Sequence, residues 1–427
     1  MVTFVSLFLW LIAGTHPVEV AVEGPVASVE IFLDGEKVGV AMPPDWRLDC
    51  DFGAAVRPHE LVAVALGKTG AELGRARQVV NLPRPKAELE IVLKEGSSGQ
   101  PEAVRVVTQS ALWLEPELVE VTFDRQLLIG DGGRFSLPEY DPDETHLLSA
   151  EARFPGGVTA RDDISFSGRH GGRVTTELTA VPIVVEGKRR PQPAELEGSL
   201  HARGQALTIA AVERPGVRVY LVRDHGAWPT VQSIGVEMAR RSPWERRIRL
   251  ESGTELSPEM DRFYLVVPNA IRRRELEIFP LIGPYHLRRF NLPWLASHLF
   301  SQDAAVEGQK LAAAVAVAGV RAARDGSPRT VLLMLSVNVA DASTDRARDV
   351  REYLRALNVP LVVWTTGDGA GADWGPSIDV GSLTRLQRAG ENLLKSLYRQ
   401  WIVWVEGRHL PSDIELGEAV QGIRLAE

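Results

Sequence analysis

Short alternating runs of hydrophobic and polar residues dominate the chain from about residue 20 to residue 184. Gly, Pro and Asp interrupt these runs about every ten residues, a spacing typical of antiparallel β-sandwiches. The apolar run at residues 29–33 leads directly into Asp34-Gly35, which predicts a tight hairpin turn. We therefore expect Ig-like β-sandwiches in this part of the chain.

The alternating region contains an internal repeat. A histidine followed by apolar residues at every second position occurs at His59 and again at His146, an offset of about 87 residues. The sequence therefore predicts two tandem Ig-like sandwiches, residues 19–95 and 102–185, joined by a Gly- and Ser-rich linker at residues 96–101. We interpret both histidines as structural residues whose ring nitrogens bond the preceding turn, because no residues with metal-ligand spacing surround them.

After residue 185 the pattern changes to strands separated by helical stretches. Continuous apolar runs at residues 218–222, 330–335 and 361–364 are typical of parallel strands covered on both faces. A helix is expected from about residue 304 to 324, and a last strand at residues 401–405. This order predicts an α/β doubly wound domain of the Rossmann type over residues 186–427.

Polar residues follow the predicted strands, namely Asp224, Asn338, Asp341 and Ser343. Ligands of a doubly wound sheet bind beyond the carboxyl ends of its strands. Oxygen ligands of this kind suit Mg²⁺, so these four residues are candidate ligands of a remnant metal site. The same residue types also form loops and helix caps. We therefore expect a site without a bound cation, with Mg²⁺ as the alternative, and no other cofactor.

Residues 2–13 form an uncharged apolar run that is too short for a membrane-spanning helix and typical of an export signal. We predict a signal over residues 1–18, cleaved after Ala13 or Gly14. Because no positive charge precedes the run, an uncleaved anchor or a different start is the alternative. Cys50 is the only cysteine, which excludes an intramolecular disulfide and a multi-cysteine zinc site. These features favour a periplasmic or secreted bacterial protein that is not integral to a membrane after cleavage.

The composition narrows the classes of function. The 427 residues are 44% hydrophobic and 24% charged, as in ordinary globular proteins. With 48 Lys and Arg against 56 Asp and Glu, the net charge is -8, so we expect no nucleic-acid partner. The chain has neither a Gly-x-Ser-x-Gly nor a His-Glu-x-x-His motif, the signatures of an α/β-hydrolase nucleophile and of one class of zinc hydrolase.

The chain resembles the acidobacterial VWFA-related proteins, in which Ig-like sandwiches precede a von Willebrand factor type A-like (vWA-like) domain. The resemblance is carried by residues 29–35, 58–65, 80–83, 177–182 and 359–364. In A-type domains the first strand ends in Asp-x-Ser-x-Ser, which holds a divalent cation for partner binding. Here Asp224 is kept, whereas Gly226 and Trp228 occupy the hydroxyl positions, and Ser336 or Asn338 replaces the fourth-strand aspartate. The resemblance therefore implies a degenerate metal-dependent adhesion site.

These observations predict an exported, non-catalytic binding protein that acts by protein–protein recognition. A structural subunit of an envelope assembly is one alternative, and a hydrolase with an unrecognised active site is another. Tryptophan is enriched at binding hot spots. Four tryptophans in loop-like stretches are candidate contact residues, although each also suits a core position: Trp228, Trp244, Trp294 and Trp374.

Overall fold

The chain forms two compact units in a computed structural model, Met1–Pro83 with Thr179–Glu427, and Arg84–Leu178. The structure describes residues 2–6, 8, 11–82, 87–95, 100–110, 115–124, 126–141, 145–155, 157–167, 178–186, 190–241, 260–273, 276–287, 291–299, 308–324, 326–367, 371–407, 409–417 and 422–426. Within these ranges no helix combines the length and the hydropathy that a membrane crossing requires.

A first sandwich opens the larger unit. Its strands are β1 (Val2–Phe4), β2 (Thr15–Val22), β3 (Val26–Leu33), β4 (Glu36–Ala41), β5 (Arg47–Asp51), β6 (His59–Gly67) and β7 (Glu72–Val80). They form antiparallel sheets ordered β1-β2-β5 and β4-β3-β6-β7, and apolar residues of both sheets share one core. The predicted hairpin is present between β3 and β4, where Asp34 and Gly35 have φ of 53° and 88°. Positive φ at both positions is the turn geometry that an Asp-Gly pair favours.

The predicted export segment, residues 1–18, contributes β1 and the beginning of β2. Val2, Phe4 and Ile12 are buried in the first core, together with Val18 and Val20 of β2. Strand β2 and its in-out alternation continue across the predicted boundary at residue 18, and the cleavage of the export segment stays a prediction.

The smaller unit is a second sandwich. Its strands are β8 (Ala87–Glu95), β9 (Pro101–Ser110), β10 (Leu118–Phe123), β11 (Gln126–Leu128), β12 (Gly130–Asp131), β13 (Arg134–Ser136), β14 (Thr145–Phe154) and β15 (Val158–Ser167). The two sheets are ordered β11-β10-β14-β15 and β12-β13-β9-β8. Since β8 pairs with β9, residues 96–101 connect two strands of one sandwich. This pairing corrects the predicted linker and the domain boundaries at 95 and 102, because β8 and β9 belong to the same sandwich.

A third sandwich was not predicted. It consists of β16 (Leu178–Val185), β17 (Leu200–Ala202), β18 (Gln205–Ala206), β19 (Ile209–Glu213), β28 (Gln400–Glu406), β29 (Ile414–Leu416) and β30 (Ile423–Leu425), with helix α1 (Pro193–Leu196). Its sheets are ordered β19-β28-β16-β30 and β18-β17-β29. The predicted last α/β strand, residues 401–405, therefore belongs to this sandwich, and the predicted α/β domain 186–427 is too long. The sequence of such a strand indicates that the strand is buried, but it does not indicate which sheet the strand joins.

The α/β sheet is inserted between the two halves of the third sandwich. Its elements are β20 (Arg218–Arg223), α2 (Trp228–Arg241), β21 (Arg262–Val266), β24 (Leu281–His286), α3 (Leu292–His298), α4 (Leu311–Arg324), β25 (Arg329–Leu335), α5 (Ala347–Ala356), β26 (Leu361–Thr365), β27 (Ser377–Asp379) and α6 (Leu383–Leu397). A two-stranded ribbon, β22 (Ile271–Arg273) and β23 (Leu276–Ile278), comes between β21 and β24 in the chain.

The strand order of this sheet is β24-β21-β20-β25-β26-β27. All neighbours are parallel except β24, which is antiparallel to β21, so the sheet is mixed rather than wholly parallel. Residues 329–335 are all buried, as the continuous apolar run predicted, because helices α2, α3 and α6 cover one face and α4 and α5 the other. Helix α4 begins at Leu311, seven residues later than the predicted start, and residues 304–307 lie outside the described ranges.

Candidate functional site

The strand order reverses between β20 and β25, the two central neighbours of the mixed sheet. Chain segments that leave neighbouring strands in opposite directions open a crevice there, and ligands of doubly wound sheets bind in it. Asp224 directly follows β20, and Ser336 directly follows β25. This switch point is the candidate site.

The Asp224 carboxylate at the switch point is saturated with hydrogen bonds. Oδ1 accepts from the Gly226 backbone N–H at 2.9 Å and from Gln309 Nε2 at 2.8 Å. Oδ2 accepts from the Ser336 backbone N–H at 2.9 Å and lies against the Ser336 hydroxyl. A carboxylate offers about four lone-pair positions, so protein donors use all of them. The side chain is 0% exposed, and its buried charge is compensated by these four donors.

Gln309 is the partner that sequence reasoning missed. Its Nε2 donates to Asp224 and also to the Ala340 carbonyl at 2.7 Å, and its Oε1 accepts from the His225 backbone N–H at 3.1 Å. The reversed amide would place its oxygen against two acceptors and its NH₂ group against a donor, so the partners fix its orientation. The only sequence signal is a polar residue just before an apolar helix, and the predicted helix start at 304 concealed it.

Two of the predicted ligands, Asp341 and Ser343, cap helix α4. Asp341 accepts hydrogen bonds from the backbone N–H groups of Leu311 at 2.9 Å and Ala312 at 3.1 Å, and Ser343 Oγ accepts from Ala313 at 3.1 Å. The first N–H groups of a helix have no partner within the helix, so a separate segment supplies it here. The contacts of Asp341 and Ser343 are therefore those of cap formers, the alternative interpretation of these residues.

Asn338, the remaining predicted ligand, has an exposed side chain, and its backbone carbonyl lies 2.9 Å from the Ser336 hydroxyl. The structure thus brings Asp224, Gln309 and Ser336 together, with Asn338 taking part through its backbone. In the described part of the chain, no group of three or more His, Cys, Asp or Glu side chains has a geometry that could hold a metal ion.

Gly226 makes the packing around Asp224 sterically possible. A Cβ atom at this position would lie 2.7 Å from Ser336 Oγ and 3.3 Å from Asp224 Oδ1. Real Cβ atoms essentially never lie within 3.0 Å of another heavy atom, so a side chain at position 226 would require Ser336 Oγ to move. The space that a side chain would take at position 226 is therefore filled by the Ser336 hydroxyl.

The neighbours of Asp224 in the chain, Arg223 and His225, are also held by hydrogen bonds. Burial lowers the pKa of His225, whose hydrogen bond to Asn269 acts in the opposite direction. Burial also lowers the pKa of Arg223 to about 10. The Arg223 guanidinium donates to the carbonyls of Ala296 at 2.9 Å and Leu299 at 2.6 Å, at the end of α3. A cation at a helix C-terminus interacts favourably with the helix dipole.

The four candidate tryptophans have different surroundings. Trp294 and Trp374 are buried, and Trp228 is half-buried with the Arg223 guanidinium 4.3 Å from its ring centre. Trp244 lies outside the described residues. Trp294 and Trp374 therefore belong to the core, the alternative that the sequence left open.

The repeated histidines make matching contacts in the first and second sandwiches. His59 Nδ1 lies 2.7 Å from Asp34 Oδ2, and Nε2 lies 3.1 Å from the Phe52 carbonyl. His146 Nδ1 lies 2.7 Å from Asp124 Oδ2, and Nε2 lies 2.7 Å from the Asp141 carbonyl. Both nitrogens of each ring face acceptors, as expected for structural histidines bonded to the preceding turns.

No protein-family model matches the chain, and no curated protein matches it. Fibronectin(III)-like modules of CbhA from Clostridium thermocellum are 16% identical over 19% of this chain and 93% of theirs, with a TM-score of 0.17. A central fibronectin-III array of RIM-binding protein is 10% identical over 49% of this chain and 79% of that chain, with a TM-score of 0.24.

Proximal thread matrix protein 1 from the mussel byssus is 12% identical over 48% of this chain and 50% of that chain, with a TM-score of 0.29. Another structure of that protein has a zinc-occupied MIDAS motif, and the match covers 43% of this chain and 48% of that one at a TM-score of 0.28. The chain therefore spans about half the length of the byssus protein. These values describe a distant structural likeness.

Proposed function

We propose that this chain is an exported bacterial binding protein that acts by protein–protein recognition and not by catalysis. In this proposal the mixed sheet is a vWA-like domain with a degenerate metal-dependent adhesion site, and the protein works in the periplasm or outside the cell. The observation that carries the proposal is a set of exposed apolar side chains on the second sandwich, Leu127 and Ile129 near one edge of a sheet and Leu147 on the same sheet.

Leu127 and Leu147 lie on the outer face of the sheet β11-β10-β14-β15, with Thr122 and Ser149 between them. Leu127 is opposite Thr122, which is opposite Ser149, so these residues share one face, and Leu147 shares it by the period of two along β14. Leu127 is 62% exposed, Leu147 is 47% exposed, and Ile129, directly after β11, is 94% exposed.

The occupant that fits this surface is a protein segment in extended conformation. Among the described strands, β11 is the last of its sheet, so one side of its backbone faces no other described strand of that sheet. An extended peptide can pair with such an edge while its alternate side chains contact apolar residues beside it. Leu127 lies in this edge strand and Ile129 directly follows it, so the two side chains are spaced two apart, which is the spacing such contacts require.

The test compares binding by the wild type with binding by the double variant Leu127→Asp/Ile129→Asp. A tagged chain is first used to isolate a partner from an envelope extract, and the purified pair is then measured by calorimetry. We expect the double variant to raise the dissociation constant at least tenfold, because hot-spot truncations cost roughly 2 kcal/mol or more of binding free energy. The matched control is Val38→Asp/Val40→Asp, which changes two exposed valines on the edge strand β4 of the first sandwich.

Two outcomes would contradict the proposal. One is a purified partner whose affinity is the same for the wild type and the Leu127→Asp/Ile129→Asp variant. The other is stoichiometric labelling of the chain by a serine-directed fluorophosphonate probe, which would favour the hydrolase alternative.

A further inference from the structure

We propose that the Gln309 side-chain amide replaces a divalent cation at the switch point, so that the α/β sheet is held in one arrangement without metal. This inference concerns the switch point alone. It holds or fails independently of the binding surface on the second sandwich.

The donor set around Asp224 does not fit a cation. A divalent metal of the Mg²⁺ type needs free oxygen lone pairs directed at one point. Both oxygens of Asp224 instead accept two hydrogen bonds each from protein groups. Position 226, which carries a hydroxyl ligand in the A-type motif, has no side chain, and a Cβ there would lie 2.7 Å from Ser336 Oγ. The residues present therefore do not form a metal site in this arrangement.

The Gln309 amide connects the two chain segments that a bridging cation would connect. Its two N–H groups join Asp224 Oδ1, at the end of β20, to the Ala340 carbonyl, in the segment after β25. Its oxygen holds the His225 backbone N–H on the β20 side. One buried neutral group, 1% exposed, therefore connects the two segments that leave the switch point. A charged cation would have to be dehydrated at this buried position, whereas the amide has no charge to desolvate.

The backbone of Gln309 strengthens the same connection. Its carbonyl accepts from the Ala342 N–H at 2.8 Å, and the next residue, Lys310, donates to the Pro268 carbonyl at 2.8 Å. Asp341 then caps helix α4 immediately after Gln309. The Gln309 carbonyl and the first N–H groups of α4 are thus bonded to the segment after β25, and Lys310 is bonded to the segment after β21, so the amide is held in place.

The variant Gln309→Glu tests this inference directly. It places a carboxylate oxygen beside Asp224 Oδ1 and the Ala340 carbonyl, which together form the oxygen set that hard cations prefer. We expect the variant to unfold at a lower temperature than the wild type in EDTA. Saturating Mn²⁺ or Mg²⁺ should raise its Tm by about 5 °C or more, because a ligand that binds only the native state stabilises it. The wild-type Tm should change by less than about 1 °C under the same conditions.

The matched control is Gln400→Glu, which changes another buried glutamine. Gln400 Oε1 accepts from the Arg329 backbone N–H at 2.9 Å, and among the described residues no carboxylate hydrogen-bonds to the Gln400 side chain. We expect Gln400→Glu to lose stability without recovery by cations.

Either of two results would overturn the inference. One is a saturable, cation-dependent rise of the wild-type Tm. The other is a folded Gln309→Glu variant whose Tm cations leave unchanged. A variant that folds only with Mn²⁺ supports the inference, and if it folds under neither condition, the wild-type titration decides.

Discussion

Single side chains carry the clearest evidence of duplication in this chain. Asp34 and Asp124 each hold a histidine ring through Oδ2 and a backbone N–H through Oδ1, at 2.8 Å from Glu60 and Leu147 respectively. Burial alone would raise the pKa of Asp34. The hydrogen bonds from the His59 ring and the Glu60 backbone outweigh it and lower the pKa below the usual 3.8. The sequence predicted the histidine contacts because the turn and the histidine recur together.

The Asp34–His59 pair should make the stability of the first sandwich depend on pH. A depressed folded-state pKa means that the contribution is fully present above the unfolded value of 3.8 and is lost as pH falls through the lower folded value. We expect Asp34→Asn to destabilise the chain at pH 7 and to make no difference once Asp34 is protonated. Urea unfolding at a series of pH values measures this.

Asp124→Asn in the second sandwich is the matched comparison for that experiment. Burial raises the pKa of Asp124, and the hydrogen bonds from His146 and the Leu147 backbone outweigh it and lower this pKa, as at Asp34. A free-energy difference between wild type and Asp34→Asn that stayed constant down to the lowest pH would show that the carboxylate charge is not involved.

Among the secondary-structure elements, helix α4 shows how one local signal suits two different partners. Asp341 and Ser343 are candidate ligands of a remnant metal site because they follow a strand end, and the same residue types also form loops and helix caps. The structure directs their oxygens at the N–H groups of Leu311, Ala312 and Ala313, about thirty residues earlier in the chain. Oxygen atoms that suit a cation also suit unpaired helix N–H groups, so the residue types do not distinguish the two partners.

Removing this cap should weaken helix α4. We expect Asp341→Ala to lower the free energy of unfolding by about 1 kcal/mol, the usual cost of losing a capping side chain. Hydrogen exchange should accelerate at Leu311 and Ala312, which lose their acceptor. The control is Asn338→Ala, whose exposed side chain can be removed with little effect, because Asn338 contacts Ser336 through its backbone. Equal losses of stability in the two variants would contradict the capping role of Asp341.

Within the larger unit, one buried residue, Asn81, joins the N-terminal segment, the first sandwich and helix α5. Asn81 exchanges two hydrogen bonds with the Ile12 backbone, both at 2.8 Å, and donates to the Arg57 carbonyl at 2.7 Å. Its own carbonyl accepts from the Tyr353 hydroxyl of helix α5 at 2.7 Å. Cleavage after Ala13 or Gly14, as predicted for an exported chain, would remove Ile12 from this arrangement.

The two possible N-termini therefore differ in stability. A chain that begins at Thr15 lacks Val2, Phe4 and Ile12, three buried residues worth roughly 1.5–3 kcal/mol each when fully buried. We expect it to unfold at a lower temperature than the chain that keeps them, and Asn81→Ala to cost less in the short chain, because two of its bonds are already absent. Thermal unfolding of the four proteins measures this coupling.

N-terminal sequencing of the chain recovered from an export-competent bacterial host then shows which form occurs. A first residue near Thr15 supports the proposed cleaved signal. A mature chain that retains Val2–Phe4 would contradict it and would leave β1 in the fold.

The sequence determined the features that depend on near neighbours. Alternation with a period of two predicted sandwich strands, an Asp-Gly pair predicted the hairpin, and a continuous apolar run predicted a strand buried on both faces, since each pattern reflects the local geometry of the backbone. The features that depend on distant neighbours came from the tertiary structure. Residues 401–405 joined a third sandwich, Asp341 capped a helix, and Gln309 reached Asp224, because strand pairing and side-chain partners are set by which surfaces meet when the chain folds.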